Sequence, residues 1–99
     1  MQITKVTSNK KQYLPLLLLA DEEEAMINRY LERGTMYVLE DDDVKAECLV
    51  TDEGDGILEI KSLATLPQFQ HRGYAKALIN FIEAKYKGCL LYTSDAADD

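Results

Sequence analysis

The chain has 99 residues, 46% of them hydrophobic, and a formal net charge of −7. That is material for one small domain with a modest core. The acidity excludes a broad nucleic-acid surface, which needs a basic face, and no apolar run approaches the length of a membrane span. Residues 14–20 are apolar but too short, and lack the cleavage pattern of a signal peptide.

Residues 1–7 alternate weakly, with Ile3 and Val6 apolar, and predict a short first strand. Ser8 and Asn9 are N-cap residue types, and residues 11–20 predict a helix. Pro15 lies inside it and removes a backbone donor, so it marks a break or a restart. Asp21 is expected to cap a second helix over residues 22–32. Glu22, Glu23 and Glu24 fall in its first turn, where the helix dipole favours negative charge. Glu24 stands three places after Asp21, as a capping box requires. Met26 and Tyr30, with Ile27 and Leu31, make its apolar stripe, and Gly34 ends it.

Three strand-like runs follow, over residues 36–40, 44–51 and 57–66. They are joined by Asp41-Asp42-Asp43 and by Asp52-Glu53-Gly54-Asp55-Gly56, turns rich in residues that tolerate positive φ. An antiparallel meander is predicted. Pro67 ends the third strand. Beyond Gly73 a helix is predicted over residues 74–86, with Ala77, Leu78, Phe81 and Ile82 at helical spacing and Gly88 as C-cap. Residues 89–93 have the composition of one more strand.

The segment Gln70-His71-Arg72-Gly73-Tyr74-Ala75 joins the third strand to this helix. A strand, a short loop with glycine and a helix together present backbone N–H groups to a phosphate. The charge pattern agrees. Of the 18 acids none lies in residues 60–82, where random placement would put about four. Lys61, His71, Arg72 and Lys76 lie in the same window, which therefore looks suited to an anion. Two plain alternatives stand beside this reading: an ordinary strand-to-helix turn, and a buried strand and helix that exclude carboxylates for packing reasons.

Pro67-x-x-Gln70-x-x-Gly73-x-Ala75, directly after a strand containing Leu63-Ala64-Thr65, resembles the acetyl-CoA-binding motif of the GNAT superfamily of N-acetyltransferases. That signature is Gln/Arg-x-x-Gly-x-Gly/Ala. The resemblance covers residues 1–88 in element order, and residues 59–82 carry its sequence-specific part. It implies a mixed α/β (α+β) fold, a mostly antiparallel sheet flanked by helices in the order β-α-α-β-β-β-α-(β), without the family's final helix and strands. It implies that backbone N–H groups of Gln70, His71, Arg72, Gly73, Tyr74, Ala75 and Lys76 hold the coenzyme A pyrophosphate. Leu63, Ala64 and Thr65 would pair their main chain with the pantetheine arm, as an added strand does. Ala75 replaces the more frequent glycine, and Thr65 stands where a branched apolar residue is usual.

Acetyl transfer needs a neutral amine and a group to take the ammonium proton. By the same resemblance Glu59 sits at the position of the general base in the histone-acetylating branch. The plain reading is an ion pair of Glu59 with Lys61 on a solvated patch. Strand alternation places Ile57, Glu59, Lys61 and Leu63 on one face. The family's acid, a tyrosine, would lie beyond Gly88, and Tyr92 is not taken as its substitute. A strand N–H near Leu63 is the expected oxyanion contact. The resemblance also implies that the second helix contributes residues 22–30 to the acceptor side. Its acidity would suit a cationic acceptor, although capping alone accounts for it.

Residues 89–99 resemble the translation of a transposase-type sequencing adaptor and are expected to be non-native, with the domain proper ending near Gly88. Cys48 is read as core, not nucleophile, and Asp41-Asp42-Asp43 as a solvated turn, with no metal site. Tyr30, Tyr37, Tyr74 and Tyr86 are read as packing residues, and His71 has no catalytic role. Two cysteines, Cys48 and Cys89, do not suggest a disulfide framework, so a cytoplasmic location is expected.

The function expected of the full-length parent is acetyl transfer from acetyl-CoA to a primary amine of a small molecule or protein, the 99-residue chain itself being inactive or weakly stable. The expected partners are acetyl-CoA and the acceptor, a homodimer of the parent, and neither nucleic acid nor membrane. The rival reading is a non-catalytic GNAT-like module that binds acyl-CoA or a protein; a third is an unrelated α/β domain whose turn mimics the motif.

Overall fold

In a computed structural model, residues 1–93 are described. β1 (Gln2–Val6), β2 (Thr35–Asp41), β3 (Asp43–Gly54), β4 (Ile57–Thr65) and β5 (Leu90–Thr93) form one sheet in that spatial order. β1 to β4 are antiparallel neighbours, and β5 runs parallel to β4. This is the mixed architecture the sequence predicts. Residues 94–99, part of the stretch expected to be non-native, lie outside the described residues.

The meander turns are where the polar residues put them. Asp42, with φ of 71°, lies between the paired Asp41 and Asp43. Asp55 and Gly56 both have positive φ, the requirement of a two-residue hairpin whose twist matches its strands.

Helices cover both faces. α1 (Leu14–Ala20) and α2 (Glu24–Tyr30) lie over one, where Leu17, Ile27, Tyr30 and Leu31 pack on Val6, Met36, Val38 and Leu49. α3 (Tyr74–Lys85) covers the other, where Tyr74, Leu78 and Ile82 pack on Tyr37, Leu39, Ala46, Cys48, Val50 and Ile60. Cys48 is buried in this second core, and the desolvation pushes its thiol pKa up. Tyr37 and Tyr86 share a hydrogen bond of 2.7 Å there.

The helical segment before the meander departs from expectation in its detail. Pro15 divides it into a 3-10 turn (Lys10–Tyr13) and α1, whose first turn it occupies. No capping box forms. The Asp21 carboxylate accepts the Glu23 N–H at 3.2 Å, Glu23 takes the N-cap position, and Glu24 reaches Lys11 at 2.9 Å. Met26 leaves the core and is 41% exposed. At the other end Gly34 donates to the Tyr30 carbonyl at 2.9 Å. A Cβ on Gly34 would stand 2.4 Å from Leu49 Cδ2, so glycine is needed there for close approach. Lys10 Nζ donates to the carbonyls of Leu31 at 2.8 Å and Gly34 at 2.7 Å, a cation on the negative end of α2.

One irregularity shapes the site. Along β3 and β4, Leu49 pairs with Ser62 but Val50 pairs with Ile60, leaving Lys61 as the extra residue of a bulge. Leu63 is thereby turned away from Glu59 and Lys61 and packs on the α3 side with Ile60. The expected common face for Ile57, Glu59, Lys61 and Leu63 does not exist, because a bulge resets the period-2 alternation.

Candidate active site

The loop between β4 and α3 is built by alternating backbone signs. His71 has φ of 65° and Gly73 φ of 86°, while Arg72 between them is not in the positive region. Such alternation turns successive N–H groups toward one concavity, which favours an anion. Gly73 is the N-cap of α3, and space is open around the position of a Cβ there. The first intrahelical bond runs from the Ala77 N–H to the Gly73 carbonyl at 2.9 Å. The amides of Gly73, Tyr74 and Lys76 precede it at the positive end of a twelve-residue helix.

The predicted loop residues divide by role. His71, Arg72, Gly73 and Lys76 are exposed. Gln70 is exposed as well, but its polar groups are engaged within the loop: its N–H is directed at the Pro67 carbonyl and its side-chain amide at the Thr65 carbonyl, both at 3.4 Å. Ala75 is buried, and the buried Tyr74 ring carries its hydroxyl to the Asp41 carboxylate at 2.7 Å. That hydrogen bond, with burial, raises the Tyr74 pKa. An acid-free stretch of sequence therefore has an acid beside it in space, delivered by the β2–β3 turn. Asp43 of the same turn pairs with Lys45 two residues on, and Asp42 and Asp43 are exposed, so the turn is solvated except where Asp41 meets Tyr74. Lys45 and Arg72 both lie over the Phe69 ring, at 4.2 and 5.3 Å from its centroid.

A strand edge leads into this loop. Leu63, Ala64 and Thr65 pair with Cys48, Glu47 and Ala46 of β3. On the other side β5 pairs only with Ile57, Leu58, Glu59 and Ile60 of β4. Among the described residues, the main chain past the Lys61 bulge has no strand on that edge. An extended ligand arm could add there as a strand adds.

Glu59 lies on the α1–α2 face, and its carboxylate is 3.0 Å from Lys61 Nζ. Both side chains are about a quarter exposed. The ion pair considered from the sequence is thus present.

Reasoning from sequence missed Glu47. It lies mid-β3 on the same face, with no exposed surface. The Ser62 hydroxyl donates to its Oε2 at 2.5 Å, while Oε1 and the buried Tyr30 hydroxyl lack partners among the described residues. Desolvation lifts the Glu47 pKa to about 8, with the Ser62 bond opposing it. The signal was a carboxylate alternating with Leu49 and Thr51 in the mostly apolar middle of β3, residues 46–51.

A family model described as Acetyltransferase (GNAT) domain matches residues 32–98. Among solved structures, a GNAT family acetyltransferase from Elizabethkingia anophelis with acetyl-CoA bound is 26% identical, with TM-score 0.79 over 87% of this chain and 57% of its own. An IAA acetyltransferase from Bacillus cereus is 27% identical, with TM-score 0.77 over 88% of this chain and 59% of its own. A Bacillus subtilis acetyltransferase in complex with CoA is 26% identical, with TM-score 0.78 over 87% and 57%. The chain thus spans less than three fifths of the length of each. No curated protein matches it. With two thirds of its residues inside the family match, and its fold shared with a solved member, the chain belongs to the GNAT acetyltransferase family.

Proposed function

We propose that the chain is the acetyl-CoA-binding part of an N-acetyltransferase, which moves an acetyl group from acetyl-CoA to a primary amine of a small molecule or protein. The observation that carries this reading is the alternating-φ loop at the start of α3, opening beside a β4 edge that β5 leaves unpaired. The N–H groups of Arg72, Gly73, Tyr74 and Lys76 are the donors for the pyrophosphate, with His71 and Ala75 in the same loop. Gln70 braces the loop through the Thr65 carbonyl. Leu63, Ala64 and Thr65 offer main chain to the pantetheine arm. Glu59 is the base. The neutral amine attacks the thioester carbonyl, the carbon–sulfur bond breaks, and the ammonium proton passes to Glu59 directly or through water. Acetyl-CoA is named as donor because two of the similar structures hold acetyl-CoA or CoA.

The test is calorimetry with coenzyme A. Gly73→Glu places a carboxylate at the phosphate site and a side chain at φ of 86°, so binding is expected to be lost. Unchanged affinity overturns the loop assignment. A second reading, a module that binds acyl-CoA without turnover, is favoured by the engagement of Glu59 with Lys61. Release of coenzyme A in the presence of any amine excludes it.

A further inference from the structure

Met26, Arg29, Tyr30 and Arg33 line a cavity of about 380 Å³ together with Lys61. The first four are spaced i, i+3, i+4 and i+7, one stripe of α2 and the turn that follows it. Lys61 comes from the β4 bulge. Two chain segments thus bring three cations to one space in a protein of net charge −7.

The cations are not equally compensated. Arg33 Nη1 is 3.3 Å from Glu53 Oε2, and Lys61 Nζ is 3.0 Å from Glu59 Oε2. Arg29 touches Met26 Sδ at 3.6 Å and has no carboxylate partner among the described residues. The helix dipole accounts for an arginine in the last turn of α2. It does not account for a lysine aimed at the same space from a strand. The volume lies in the range of small-molecule sites, roughly 300–1,000 Å³. The three glutamates that made α2 look suited to a cation are elsewhere: Glu24 is spent on Lys11, and neither Glu22 nor Glu23 lines the cavity.

We infer that this cavity receives the acceptor, and that the acceptor is a small amine bearing a carboxylate, held by Arg29. The inference rests on the acetyl-transfer reading above and names its substrate class. A guanidinium meets a carboxylate with two parallel N–H···O bonds. Arg33 and Lys61 strengthen the field that draws the anion in. The same field disfavours an ammonium relative to a neutral amine, which is the form that attacks. Lys61 links the cavity to Glu59, the group assigned to take the proton when the carbon–nitrogen bond forms and the thiolate leaves.

The experiment titrates the 99-residue chain, with and without acetyl-CoA, with β-alanine and with its carboxamide, which keeps the amine but loses the charge. Backbone NMR reports both sites in the same sample. β-Alanine is expected to shift the signals of Arg29, Arg33 and Lys61 and to saturate, with the carboxamide about tenfold weaker. Arg29 is exposed, and Arg29→Gln should weaken β-alanine about tenfold while leaving acetyl-CoA binding unchanged. Equal binding of the carboxamide, no saturable binding of β-alanine, or an unchanged affinity in Arg29→Gln overturns the inference. Absence of acetyl-CoA binding overturns the acetyl-transfer reading itself, and the inference with it.

Discussion

Burial of the Glu47 carboxyl makes the stability of this fold depend on pH. Its pKa stands at about 8 in the folded chain against 4.5 in the unfolded one, from desolvation. Between those values the folded state holds the extra proton, so stability is full below pH 4.5 and is lost as pH rises through 8. The difference corresponds to at most about 5 kcal/mol. Glu47→Gln keeps a carbonyl for Ser62 and removes the titration. The melting temperature of the wild type should fall between pH 5 and pH 8.5, and that of the variant should change far less. Equal slopes would remove Glu47 as the cause. A carboxylate in the mostly apolar middle of a strand is plain to see in the sequence. Its burial is not, because both faces of this sheet are covered, and alternation marks a face without saying whether water reaches it.

At the scale of the element, most of the chain was legible and the joints were not. The meander, α3 and the role of Pro15 follow from local chemistry: turn residues, helical spacing and a missing N–H. The end of α2 does not. Lys10 is distant in sequence, yet its ammonium holds the Leu31 and Gly34 carbonyls. Lys10→Met keeps the apolar stem and removes the donors, and should cost about 1–3 kcal/mol in urea unfolding. Raising the salt concentration should reduce the wild type only slightly, since these bonds are partly buried. The Lys61 bulge was equally hidden. Apolar residues at 58, 60 and 63 fit a strand with or without an inserted residue, and only the register with β3 distinguishes them.

For the molecule as a whole, ligand and fold are linked. On the proposed reading acetyl-CoA bridges a glycine loop, a helix start and a half-paired strand edge, so it binds only the folded chain. At a hundred times its dissociation constant, acetyl-CoA should add about 2.7 kcal/mol. For a domain this small that is a rise in melting temperature of about 10 °C or more. Scanning calorimetry should show it in the wild type and not in Gly73→Glu. A variant that melts with the same ligand shift would mean that acetyl-CoA binds somewhere else.

The sequence by itself determined the element order, the hairpin turns and the glycine loop before α3, because each is decided by neighbours a few residues apart through φ preference, spacing and capping. Tertiary structure alone decided that Asp41 would sit beside an acid-free segment, that Lys61 would bulge and turn Leu63 over, that Glu47 would be sealed from water, and that Arg29, Arg33 and Lys61 would share a cavity. The physical reason is common to all four. Strand register and the docking of helices on a sheet are set by contacts far apart in the chain, and local pattern is satisfied equally well by several of them.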